Sequence, residues 1–326
     1  MDRGRRKFIQ LITTAAASFF VLSGPTRAQT YPSRPITLIV FLPAGAVPDV
    51  IARLIGEALS KRLGQPIIIE NRFGAGGNLA LQTVARAPAD GHTLLLLASP
   101  HAVNVSLYPD NPVNAIKDIA PIATINRDTF VLTVNPSLPV KSVAEFIAYA
   151  KANPGKINLS SNGTGNMPHL AGELLKMATG IDVLHVPYRG SPAALAAVTA
   201  GDVQALFDSV GVSLPLIKAG KIRALGVSST ARVLMLPDVP TIAETVPGYT
   251  VIGWLGLGGP KGTPAEIVDR LNREVNAVLT DPAIRSKMAE FGSEPFASTP
   301  AEFAKFIAED ADKWGKVVKA AGIKIQ

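Results

Sequence analysis

A strand–loop–helix unit near the start of the chain does most to limit what it can fold into. Apolar Ile36, Leu38, Ile39, Val40, Phe41 and Leu42 run up to Pro43. The loop Ala44-Gly45-Ala46-Val47-Pro48-Asp49 follows, and apolar residues then recur at Ile51, Leu54, Ile55, Ala58, Leu59 and Leu63, a helical period. This order sets the free N–H groups of a helix start at the end of a strand, where a small anion can sit. The unit repeats: Ile67 to Glu70 reads as a strand, and the loop Asn71 to Asn78, with Gly74, Gly76 and Gly77, opens a helix over Leu79 to Arg86. Asp90-Gly91 marks a turn before a third strand, Thr93 to Ala98. Repeated βα units imply an α/β fold with a largely parallel sheet covered by helices.

The N-terminus is an export signal. Residues 1–7 are basic, Phe8 to Leu22 is mostly apolar, and Thr26-Arg27-Ala28 offers small residues at the cleavage-specifying positions. Cleavage after Ala28 starts the mature chain at Gln29. Arg5-Arg6-Lys7-Phe8-Ile9 fits a twin-arginine signal loosely, so both the general and the twin-arginine routes stay open. Residues 1–28 carry +4 of the formal charge of +7, which leaves +3, too small a bias to argue for nucleic acid. The chain has no cysteine, which excludes disulfides, thiolate nucleophiles, sulfur-held metals and a lipid anchor on the mature N-terminus. No later stretch reaches about 18 uninterrupted apolar residues, so the expectation is a soluble periplasmic product. That compartment disfavours ATP- or NAD-dependent chemistry.

The stretch Ser99 to Asn114, with Pro100, Pro109 and Pro112, reads as loop. Ile122 to Val134 is the first candidate crossing into another domain. Ser142 with Glu145 caps a helix through Lys151, and a short strand over Ile157 to Ser160 feeds the loop Ser161-Asn162-Gly163-Thr164-Gly165-Asn166 before a helix from Pro168. Strand, helix and strand alternate again to Val227, and the glycine-laced Val251 to Gly258 is the second crossing. Thr263-Pro264, Asp281-Pro282 and Thr299-Pro300 then each place proline at a helix start. Two crossings and one long tail fit two lobes around a cleft, divided as residues 29–126, 127–253 and a return to the first lobe over 254–326.

Several words along the chain, in order, resemble the periplasmic solute receptors of tripartite tricarboxylate transporters, the Bug family. They include Tyr31-Pro32-Ser33-Arg34-Pro35-Ile36, the loop Pro43 to Asp49, Glu70-Asn71-Arg72 with Gly74 to Gly77, His169 to Leu174, His185-Val186-Pro187-Tyr188, Leu236 to Thr241 and Gly262-Thr263-Pro264. The likeness runs from about Tyr31 to Ile323. It implies a two-lobed Venus-flytrap binding protein, type II-like, that holds a small carboxylic acid and passes it to a two-subunit membrane permease. A sensor kinase is the alternative partner. No cofactor and no metal is implied, and a monomer is expected. The resemblance places the ligand carboxylate near Pro43 to Asp49, with facing contacts from Ser161 to Asn166 and from Asp208. Two departures stand out: the family has Gly-Gly where this chain has Gly45-Ala46, and Pro where it has Phe73.

On the residues themselves, Pro43, Ala44, Gly45 and Ala46 are candidate backbone contacts, although Gly45 could serve the turn alone. Asp49 repels a carboxylate, and either caps backbone N–H groups or accepts from a bridging water. Ser161, Gly163, Thr164 and Asn166 offer short donors at a helix start, and the alternative is ordinary capping. Asp208 ends an apolar strand, where it meets a ligand amine or hydroxyl or caps the next helix. Phe41, Arg72, Phe73, Ser99, His101, His169 and Tyr188 form a second tier; for each, packing or surface pairing is the competing role. Neither His169 nor His185 has partners at a metal spacing. No Gly-x-Ser-x-Gly or HExxH word occurs, and the glycine loops lack the Lys-Ser/Thr ending of a phosphate-binding loop, which argues against an exported hydrolase or NTPase.

Overall fold

The computed structural model describes residues 31–324, and the export segment proposed over residues 1–28 lies outside them. The chain opens with β1 (Ile36–Val40), α1 (Val47–Leu63), β2 (Ile67–Asn71), α2 (Asn78–Ala85) and β3 (Thr93–Ala98). These strands pair in parallel in the order β2-β1-β3, with Val40 opposite Asn71 and Ile39 opposite Leu95. Helix α1 turns Ile51, Ala52, Ile55, Leu59 and Leu63 into the core and ends on Gly64 in the left-handed region.

The segment expected to be loop is instead α3 (Ser99–Leu107), followed by the short α4 (Ala115–Asp118). Pro100 sits in the first turn of α3, where its missing N–H costs nothing, so a residue that suggested a loop marks a helix start. Asn114 caps α4 by accepting from the N–H groups of Ile116 and Lys117.

β4 (Ile119–Val134) is a single 16-residue strand. The chain continues through α5 (Val143–Ala152), β5 (Asn158–Ser161), α6 (Met167–Thr179), β6 (Leu184–Pro187), α7 (Ser191–Ala200), β7 (Ala205–Ser209), α8 (Val210–Lys218) and β8 (Arg223–Val227). It then returns through β9 (Ile252–Pro260), α9 (Ala265–Leu279), α10 (Pro282–Glu290), β10 (Ser293–Pro295) and α11 (Pro300–Ala320). β6, β5 and β7 form a second parallel set. The antiparallel pairings come from the crossing strands: β9 runs between β3 and β4, β10 adds to β4, and β7 and β8 flank the far end of β4. The partner of β4 changes from β9 at Thr129 to β7 at Phe130.

The helix starts follow the expected caps in part. Ser142 accepts from the Glu145 N–H, Asp281 from Ala283, and Thr299 with Glu302 closes a reciprocal box. Thr263 does not cap: its hydroxyl donates to the Pro260 carbonyl, and α9 begins at Ala265 after Pro264.

The result is a two-lobed α/β fold on one curled, mixed sheet. Leu38, Ile39, Ile55, Leu95, Leu257, Leu271 and Phe303 belong to one core, while Phe146, Leu170, Phe207, Tyr249 and Trp314 belong to another. Helix α11 serves both, with Phe303, Ile307 and Ala311 in the first and Trp314, Val317 and Val318 in the second.

Candidate functional site

Strand register brings the carboxyl ends of the two parallel sets close together. Ala98, the last residue of β3, pairs with Leu255, which pairs with Asn126. Ser209, the last residue of β7, pairs with Phe130. The carboxyl ends of the two parallel sets therefore reach β4 four residues apart, about 13 Å at a rise of 3.3 Å per residue. Loops that leave such strand ends are where α/β sheets collect ligands.

The loop after β1 is exposed from Pro43 to Gly45, and its shape is held from beneath. Asp49 is buried and accepts four hydrogen bonds: from the Gly45 N–H at 2.9 Å, from Arg53 Nε and Nη2 at 3.0 Å each, and from Asn71 Nδ2 at 2.8 Å. Asn71 Nδ2 also reaches the Leu42 carbonyl at 2.8 Å. Burial pushes the Asp49 carboxyl up, but its bonds to Arg53, Gly45 and Asn71 outweigh this and hold it below the usual carboxylate range. Asp49 is thus the anchor of the loop. It also consumes the Gly45 N–H, so Gly45 supplies the turn (φ 85°) rather than a free donor. Ala46 lies at φ −66°, ψ 151°, an ordinary extended position that a methyl group does not strain, so no glycine is needed there. No side chain caps the first turn of α1; the Ala46 N–H donates to the Pro43 carbonyl, the Val50 N–H to the Ala46 carbonyl, and Pro48 has no N–H to offer.

The second-tier residues of this lobe divide sharply. Phe41 is buried and meets His101 edge-on at 4.9 Å between ring centroids. His101 Nδ1 accepts the Ala98 N–H at 3.0 Å, and burial lowers its pKa to about 4, so it is a neutral core residue. Ser99 is buried and accepts the Trp254 N–H at 2.9 Å, pinning the start of α3 to β9. Arg72 is spent on Glu70 at 2.6 Å. Phe73 is 59% exposed and packs no core, so the packing role considered for it does not hold.

In the other lobe, Ser161 is buried, and its Oγ lies 2.7 Å from His185 Nε2, 3.1 Å from the Gly163 carbonyl and 3.3 Å from the Gly163 N–H. Thr164 and Asn166 are exposed, and Asn166 Nδ2 donates to the Asn162 carbonyl rather than capping α6. The Gly165 N–H donates to His169 Nδ1 at 3.0 Å. Tyr188 is half-buried, and its N–H donates to the Ser161 carbonyl. Asp208 is 1% exposed; its Oδ1 accepts from Ser191 Oγ and from the Ser209 N–H, each at 2.8 Å. Its Oδ2 is buried without a hydrogen-bond partner, as is Asn162 Oδ1. Burial raises the Asp208 pKa, with Ser191 and Ser209 pulling it back.

Three supporting residues were given no role in the sequence reading, Arg53, Asn71 and Ser191, and His185 was weighed only against a metal site. Arg53 was accessible as the i+4 partner of Asp49. The roles of Asn71 and Ser191 depend on strand register across 22 and 17 residues, and nothing local announces them. Among the described residues, no group of three or more His, Asp or Glu is placed to hold a metal ion.

Comparison with known proteins bears on this geometry. Residues 51–323 match the family described as the tripartite tricarboxylate transporter family receptor. The chain is 37% identical to protein BugT of Bordetella pertussis over 308 residues, covering 94% of each. An R. palustris protein solved with adipate is 38% identical, with a TM-score of 0.78 over 90% of this chain and 99% of that one. MatC from Rhodopseudomonas palustris, solved with bound malate, is 33% identical, with a TM-score of 0.75 over 88% of this chain and all of that one. With a match over most of its length and relatives aligned nearly end to end, the chain belongs to the tripartite tricarboxylate transporter receptor family.

Proposed function

We propose that this protein is a periplasmic receptor that captures a small carboxylic acid between its lobes and presents it to a two-subunit membrane permease. It is a carrier, not an enzyme, and acts as a monomer. One observation carries the reading: two sets of strand ends converge on the β4 crossing, and the exposed loop there opens onto an uncapped 17-residue helix. Backbone N–H groups at such a helix start attract a carboxylate without a matching cation. MatC, solved with malate, and the R. palustris protein, solved with adipate, support a small carboxylic acid as the ligand class.

The lobes we infer are residues 29–126 with 254–326, and 127–253, with α11 strapped across both cores. Ala44 and the first turn of α1 hold the acid from one lobe, and Thr164 and Asn166 meet it from the other. The two buried acceptors Asp208 Oδ2 and Asn162 Oδ1 suit a donor on the ligand, a hydroxyl or an ammonium. The basic, apolar leader over residues 1–28 supports export.

The test is native mass spectrometry of the mature protein, then a thermal-shift panel of malate, adipate, citrate, aspartate, nicotinate and benzoate. A ligand at 100 times its dissociation constant stabilises by about 2.7 kcal/mol, a shift of several degrees in a chain of this size. A folded protein that responds to none of these acids would remove the carboxylate assignment.

A further inference from the structure

The His169 and His185 rings lie face to face, with centroids 3.7 Å apart and planes 10° from parallel. Each ring grips a different part of the loop between β5 and α6. His169 Nδ1 accepts the Gly165 N–H at 3.0 Å, so a neutral ring carries its proton on Nε2. His185 Nε2 lies 2.7 Å from Ser161 Oγ, which in turn contacts the Gly163 carbonyl at 3.1 Å. A proton on His185 Nε2 completes a chain in which His185 donates to Ser161 and Ser161 donates to Gly163. Gly163 sits at φ 146° and Gly165 at φ 77°, so the loop's shape is one the chain must be held in.

We propose that the stacked His169–His185 pair is a pH-sensitive latch that positions the Ser161–Asn166 loop for ligand. The proposal rests on the reading that this loop meets the acid. Neither histidine touches the ligand; both act through the loop. Protonating His169 at Nδ1 turns the acceptor of the Gly165 N–H into a donor and breaks that grip. A second proton would set two charges 3.7 Å apart, so the stack resists double protonation. The charged groups acting on the rings are Glu173, 3.8 Å from His169 Nε2, and Lys176, which pairs with Glu173 at 2.9 Å. Apart from His185 itself, β5 and β6 carry no charged residue; β7, which also packs on α6, carries the buried Asp208, bound to Ser191 and the Ser209 N–H, and α11 shares the α6 core through Trp314 and Val317. Burial lowers both histidines to about 4, with Lys176 also acting on His169 and the His169 ring on His185. The latch is therefore shut at neutral pH and opens in acid.

Amide hydrogen exchange at Gly163 and Gly165 in the ligand-free mature protein tests this. It is followed by NMR from pH 7 to 4 beside titrations with malate and adipate. His169→Leu and His185→Leu should lose protection and acid affinity by roughly tenfold, the scale of one hydrogen bond. His169→Asn, which keeps an acceptor near the Nδ1 position, and His185→Gln, which keeps a donor, should recover both. Wild-type protection at Gly165 should fall as the pH drops toward 4, while His169→Asn stays flat. Unchanged exchange in the Leu variants, or the same pH profile in His169→Asn as in wild type, overturns the latch. If a Leu variant fails to fold, the His169→Asn profile decides. Exchange that follows this pattern in a protein that binds neither acid supports the latch and counts against the carboxylate reading alone.

Discussion

Asp49 shows how one buried side chain can fix the shape of an exposed loop. Its carboxylate gathers a loop N–H, an arginine one turn along the helix and an asparagine from the next strand. Removing it leaves the Asn71 amide with only the Leu42 carbonyl to donate to and frees the Gly45 turn. We expect Asp49→Ala to cost about 1–3 kcal/mol in urea unfolding and to weaken acid binding as well. Loss of stability with unchanged affinity would make Asp49 a folding residue only. Asp208 gives the opposite case, a buried carboxyl whose Oδ2 has nothing to accept from. Asp208→Asn should cost little stability, because it removes a buried charge, yet lower affinity for malate or aspartate more than for adipate, which has neither a hydroxyl nor an ammonium to donate. Isothermal titration with the three acids checks this, and equal losses for all would sink the donor assignment. Sequence exposed the capping role of Asp49, since like charge excludes a direct carboxylate contact. The Asn71 tie came only with the pairing of Val40 and Asn71, which no local pattern specifies.

At the scale of elements, hydrophobic period and cap chemistry located most helices and strands, and the failures share a cause. Proline in Ser99 to Asn114 suggested a loop because it ends helices, but it also begins them, and only the packing of Ala102 and Val103 decides which. Close approaches between elements were equally hidden. A Cβ on Gly211, in α8, would stand 2.4 Å from the Phe291 carbonyl oxygen, just before β10. Backbone cannot step aside as a side chain can. Gly211→Ala should therefore destabilise by roughly 1–3 kcal/mol through overpacking. Gly56→Ala, inside α1, meets only side chains, Ile67 Cγ2 at 3.3 Å and Ile69 Cδ1 at 3.4 Å, and gains helix propensity of up to about 1 kcal/mol, so it should be close to neutral. Paired urea melts compare the two. Equal effects would mean that the α8 contact with β10 is soft.

For the whole molecule, β4 and β9 stand out as the longest strands among the described residues, with 16 and 9 residues, and β4 changes partner from β9 to β7 along its length. The α11 strap was not legible in the sequence, since Phe303, Ile307, Trp314 and Val317 follow one helical period, and period does not say that the stripe passes from one core to the other. With both lobes tied by β4, β9 and α11, local titrations become global stability terms, and two groups, the buried His101 and the half-buried Asp128, carry opposite signs. His101 has a folded pKa of about 4, below its ordinary 6.5, so its share of stability is whole above pH 6.5 and is lost as the pH falls toward 4. Asp128 lies at the crossing, bound to Ser293 and Asn126, and burial raises it to about 6 from 3.8. The folded state takes up that proton first, so on the same descent Asp128 adds stability. Each group changes the unfolding free energy by up to about 1.4 kcal/mol per pH unit inside its window. Relative to wild type, His101→Leu should therefore improve steadily between pH 6.5 and 4, by roughly 3 kcal/mol in all. Asp128→Asn should worsen between pH 6 and 4. Guanidinium unfolding at pH 7, 6, 5 and 4.5 for the three proteins separates the slopes. Parallel curves would mean that neither group is as shielded from water as its packing requires.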